Sequence, residues 1–139
     1  MELKLKPLAP LLAFSLPLIF TNQLLSAKIT PETRAAAAVA QLTGKPNHVA
    51  VYTRGFVCDS CGIGARIHLS KIDGIDASTF ERGVKMDAEK QLLYIAFKPG
   101  IEPDLEAVRR AIQKAGYEPD RYYLWSESGF VTAPFQSPK

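Results

Sequence analysis

The hydrophobic pattern becomes regular at Asn47 and stays so to Trp125. Val49-Ala50-Val51-Tyr52-Thr53 is apolar and β-branched and predicts a strand, ended by Gly55. After Cys58-Asp59-Ser60-Cys61, the residues Ile63, Ile67 and Ser70, with Ala65, Leu69 and Ile72 beside them, recur at helical spacing. They predict a helix with one buried stripe, closed by Asp73-Gly74. Phe80, Arg82, Val84 and Met86 alternate by two, Asp87 to Lys90 is turn-like, and Leu92 to Phe97 is a dense apolar run. This predicts a hairpin whose second strand is central. Pro103-Asp104 opens a second helix with Leu105, Val108, Ile112 and Ala115 on one face, and Gly116 stops it. Arg121 to Trp125 reads as a last strand. The order β-α-β-β-α-β is the split βαβ, ferredoxin-like arrangement. The expected fold class is α+β: an antiparallel four-stranded sheet with two helices on one face.

The flanks read differently. Residues 1–27 have Lys4 and Lys6 ahead of an uncharged apolar stretch from Pro7 to Phe20, then Leu25-Ser26-Ala27. That is the layout of an export signal cleaved near Ala27. The alternative, an uncleaved anchor, needs a span of about 20 apolar residues; this run is shorter and holds three prolines, Pro7, Pro10 and Pro17. Residues 28–47 predict a short helix or linker, with Thr30 as N-cap, Pro31 in the first turn and an alanine-rich run ending at Gly44. Residues 48–125 are the folded unit. Residues 126–139, with Ser, Gly and two prolines, are expected as a disordered tail.

Composition narrows the function classes. At 139 residues the chain has room for one ordinary domain. A net charge of +3 is too small to point to nucleic acid. Two cysteines and two histidines leave no surplus for a tetrahedral zinc cage.

The cysteines carry the candidate chemistry. Cys58 and Cys61 lie where a strand passes into a helix, and the free N–H groups and partial positive charge of a helix N-terminus favour thiolates. Two thiolates so spaced can converge on one ion, and soft thiolates select soft metals such as Cu(I). His68 lies about 10 Å along the helix axis from Cys61, and His48 roughly 30 Å from Cys58 if that stretch is extended. A zinc ligand must stand about 2 Å from its ion. The expected site is therefore two-coordinate, suited to Cu(I) or Hg(II) and less to Zn(II). An exposed zinc or cadmium site shared with a second molecule stays open.

At these residues the chain resembles the heavy-metal-associated domain family. Gly55-Phe56-Val57-Cys58-Asp59-Ser60-Cys61 is similar to its Gly-Met-Thr-Cys-x-x-Cys loop, Ile72-Asp73-Gly74-Ile75 to its apolar-x-Gly-Val, and Ala115-Gly116-Tyr117 to its Ala-Gly-Tyr. The family includes periplasmic mercury-binding proteins and copper chaperones. The resemblance spans about residues 48–125. It implies Cys58 and Cys61 as metal ligands, and Tyr117 as a residue near the loop. Phe56 stands where the family has a Met that supports the loop from the core, Val57 stands for a Thr, and the stretch from Gly74 to Met86 is longer than in the family.

The leading expectation is an exported, non-enzymatic binding protein that captures a soft metal ion and passes it to or from a partner, such as a membrane transporter. It would be periplasmic in a Gram-negative cell, with no membrane insertion after signal cleavage and no nucleic-acid partner. Two alternatives stand beside it. One is a thioredoxin-like thiol–disulfide oxidoreductase. The other is a metal-free docking domain with a structural disulfide, presenting Arg54, Arg66 and Lys71 to an acidic partner.

Overall fold

The computed structural model describes residues 28–136; the expected export signal, residues 1–27, lies outside the described residues, as do residues 137–139. Helix α1 spans Pro31–Leu42, strand β1 His48–Arg54, helix α2 Ile63–Leu69, β2 Val84–Asp87, β3 Leu92–Ala96, helix α3 Leu105–Lys114, β4 Glu118–Ser126 and β5 Gly129–Pro134. A 3-10 turn, Ser60–Gly62, leads into α2. The strands form one sheet in the order β2-β3-β1-β4-β5, and every neighbouring pair is antiparallel.

The alternation of the strands builds two cores. Val49 and Val51 of β1, Val84 of β2, and Leu93 and Ile95 of β3 point to one face, where Ala65 and Leu69 of α2 and Val108, Ala111 and Ile112 of α3 cover them. The intervening residues Ala50, Leu92 and Tyr94, with Tyr123 of β4, point to the opposite face and pack against Ala38 and Leu42 of α1. Every residue of β3 is buried, because the strand has a neighbour on each edge and helices on each face.

This overturns the expected four-stranded, two-helix ferredoxin-like arrangement: the sheet has five strands and the described chain three helices, with α1 on the face expected to be bare. The alanine run of α1 looks poor in burial as a sequence. Its small side chains instead let the helix lie close to the aromatic face of the sheet. Thr30 caps its start, with Oγ1 accepting from the Thr33 N–H at 3.2 Å. Arg34 pins it to the β2–β3 turn, donating from Nε to the Lys90 carbonyl at 3.0 Å, with its guanidinium 3.9 Å from the centre of the Tyr52 ring.

The fifth strand lies within the segment expected as a disordered tail. Glu127 and Ser128 form a tight hairpin turn, Ser126 pairs with Gly129, and Phe130 stacks on Tyr123 with ring centroids 5.9 Å apart. Pro134 is tolerated because β5 is an edge strand. A second proline, Pro119, sits inside β4, at the register shift where Tyr52 faces Arg121 and Thr53 faces Pro119. The alternating pattern also overshoots at β2: Phe80 and Arg82 have φ of 56° and 57°, which places them in a left-handed turn rather than in the strand.

Leu42→Ala should lower unfolding free energy by about 2–5 kcal/mol in urea titration, since Leu42 is only 1% exposed; a loss within 0.5 kcal/mol, about the size of a surface effect, would show that α1 is not part of the cooperative unit. Burial, with Asp87 and Tyr123 adding to it, pushes the Tyr94 phenol up to about 12. Because the folded value is the raised one, this stabilisation is complete below pH about 10 and is lost as pH rises through about 12. Ultraviolet titration of the folded protein should show Tyr94 ionising only at about pH 12, and Tyr123, also raised by burial, above the ordinary tyrosine range.

Candidate metal centre

Gly55, with φ of 82°, turns the chain off the end of β1 in a conformation that favours glycine. Phe56 then drops into the core, fully buried, while Val57 points out and is 70% exposed. The chain presents Cys58, half-buried, and Cys61, exposed, at the surface, joined as a disulfide with Cα atoms 5.3 Å apart. The backbone N–H of Cys61 donates to Cys58 Sγ at 3.1 Å, and Ser60 Oγ lies 3.5 Å from the same sulfur. When the pair is reduced, an N–H aimed at Sγ favours negative charge there.

Three residues support this loop from beneath. Phe56 meets the Tyr117 ring edge-on, with centroids 6.1 Å apart and planes at 89°. The Tyr117 hydroxyl donates to the Cys61 carbonyl at 2.5 Å. The end of α3 aims it there: Gly116, at φ of 88°, donates to the Gln113 carbonyl, and Tyr117 N–H donates to the Ile112 carbonyl at 3.3 Å. This is the Schellman arrangement, and it physically accounts for Ala115-Gly116-Tyr117. Gly62 is the third support. A Cβ on it would collide with the Met86 sulfur and with Cε2 of Phe56, so only glycine lets the loop settle onto them.

The residues expected around the cysteines are partly dispersed. Arg54 is bound by Asp120, with Nε 2.7 Å from Oδ2, and Arg66 by Glu81 at 2.6 Å. Only Lys71 of the expected basic trio makes no ion pair among the described residues. It lines a groove of about 280 Å³ with His68, Arg110 and Lys114, between α2 and α3. His48 opens β1, at the end of the strand away from the cysteine loop. Burial, reinforced by Lys45, holds its pKa below the ordinary histidine range. Among the described residues no group of three or more His, Cys, Asp or Glu side chains is placed to hold an ion.

Two features of the site escape the sequence pattern. The stripe that α2 buries is Ala65 and Leu69, so Ile63 and Ile67 are 51% and 41% exposed beside the cysteine loop. Val57 and Ile63 flank the cysteines in the chain, so exposed apolar surface adjoins the pair. Met86, far along the chain, lies under the loop. Its alternation with Val84 places it on the inner face, but no local motif ties it to Gly62.

Gly62→Ala should destabilise the domain by about 1–3 kcal/mol through overpacking. Gly64→Ala, where the nearest atom to the new Cβ is 3.9 Å away, should be neutral or gain up to about 1 kcal/mol in helix propensity. Thermal unfolding of the two variants checks the contrast, and equal effects would remove the steric account of Gly62. No protein-family model matches the chain, and no curated protein matches it.

Proposed function

We propose that this chain is a carrier for a soft metal ion, taken up as cargo by the reduced Cys58–Cys61 pair and released to a partner. The observation that carries the reading is the loop geometry. Two sulfurs sit close together on an exposed end of the fold, with an N–H directed at one of them and a rigid aromatic support beneath. The three motif resemblances to heavy-metal-associated domains, and the export layout of residues 1–27, support the same reading.

Uptake starts from the dithiol. Reduction of the disulfide takes two electrons and two protons, supplied by an external dithiol that is itself oxidised to a disulfide. The ion then displaces the thiol protons and is held by two thiolates, which suit Cu(I) or Hg(II) better than Zn(II). For transfer, a partner thiolate forms a third metal–sulfur bond, one bond to Cys58 or Cys61 breaks, and the freed sulfur takes a proton. The exposure of Cys61 lets such a partner approach, whether a donor or an acceptor such as a membrane transporter. No helix among the described residues is long and apolar enough to cross a membrane.

The disulfide itself favours a second reading, a thiol–disulfide oxidoreductase cycling between these two states. Anaerobic competition titration separates the two. The reduced chain should bind one Cu(I) or Hg(II) per molecule, and the Cys58→Ser/Cys61→Ser variant none. Absence of binding in the reduced wild type, with metal-free turnover of dithiols, would replace the carrier reading by the redox one.

A further inference from the structure

The two sulfurs of the Cys58–Cys61 disulfide are not equivalent. Cys58 is half-buried and Cys61 is exposed. The backbone N–H of Cys61 donates to Cys58 Sγ at 3.1 Å. Ser60 Oγ lies 3.5 Å from the same sulfur. A disulfide sulfur carries no proton, so in this contact the hydroxyl is the donor. Among the described residues no donor meets Cys61 Sγ, and Tyr117 holds the Cys61 carbonyl rather than its sulfur. Both donors thus converge on the sulfur of the less accessible residue and leave the other sulfur bare.

That asymmetry bears on how the pair opens. An incoming thiolate attacks one sulfur of a disulfide, and the bond breaks with its electron pair left on the other. The departing sulfur gains negative charge, and donors already aimed at it stabilise that charge without rearrangement. We propose that a thiol reductant attacks Cys61 Sγ and that Cys58 leaves as the thiolate, with Ser60 a positioning residue for the departing sulfur. In the first step the reductant's thiolate forms an S–S bond to Cys61, the Cys58–Cys61 bond breaks, and Cys58 keeps the electron pair. In the second, another thiolate of the reductant attacks the reductant's bound sulfur, closes a disulfide there and displaces Cys61 as a thiolate. The two protons that the reductant's thiols gave up return to Cys58 and Cys61. The proposal deepens the carrier reading, which needs the pair reduced before uptake, and rests on it.

The test uses the oxidised full chain and mercaptoethanol, a neutral monothiol. Acid stops the exchange at early times, the freed cysteine is alkylated, and mass spectrometry with fragmentation between the two positions locates each group. The mercaptoethanol adduct should sit on Cys61 and the alkyl group on Cys58, favoured about tenfold over the reverse. Ser60→Ala should slow opening about fivefold. Ser60→Thr, which keeps a hydroxyl, should restore the rate, and neither variant should shift the thermal midpoint of unfolding. If the exchange outruns trapping, the Ser60 rates decide alone. An adduct chiefly on Cys58, an even split, or a rate unchanged in Ser60→Ala would overturn the proposal. None of these outcomes bears on metal uptake by the reduced chain, so they are distinguishable from failure of the carrier reading, which shows as absence of Cu(I) or Hg(II) binding.

Discussion

Strands β1 and β3 carry apolar side chains on both faces, and neither face can be left to water. On one side Val49, Val51, Leu93 and Ile95 are covered by α2 and α3; on the other Ala50, Leu92 and Tyr94 are covered by α1. At roughly 25 cal/mol per Å² of apolar surface, an uncovered face of this size would forfeit several kcal/mol, a large share of the stability of a small domain. The second cover explains why α1, with its alanines and a single arginine anchor, is docked rather than loose. It also explains why β4 runs long and recruits β5: Tyr123 needs both α1 and Phe130 over it.

The rigidity of this two-sided core is what the cysteine loop uses. The loop leaves the end of β1 and comes to rest on its own Phe56 and Gly62, on Met86 of β2 and on Tyr117 after α3, three parts of the fold. Each support is short-range and directional. The Schellman cap of α3 fixes where Tyr117 points, and the hydroxyl then holds a carbonyl within the loop rather than a sulfur. Tyr117 thus acts on the thiols through the backbone and leaves Cys61 free to react.

The proposed exchange with another protein would take place on the surface around the pair. Val57 and Ile63, which flank the cysteines in the chain, are exposed, and the arginines that the sequence offers as a basic face are held by Asp120 and Glu81. Approach to the loop is therefore shaped by apolar contact more than by charge. Carrier and oxidoreductase share this geometry, since both need an accessible sulfur beside a stable scaffold.

What the sequence determined by itself was local. The β-branched run of β1, the dense apolar run of β3, the Asp104 cap and stripe of α3, and the Cys-x-x-Cys at a strand–helix junction are all encoded within a few residues, where periodicity and capping act. The tertiary structure decided the rest. Whether an alanine helix is a spacer or the cover of a second core depends on the tyrosines of distant strands. Whether Ser126 to Pro134 is a tail or an edge strand depends on β4 offering a free edge beside it. Which stripe of α2 is buried depends on where α3 lies. The support of the loop by Tyr117 and Met86 joins residues far apart in the chain, and such pairings are set by packing in three dimensions, which local propensity does not contain.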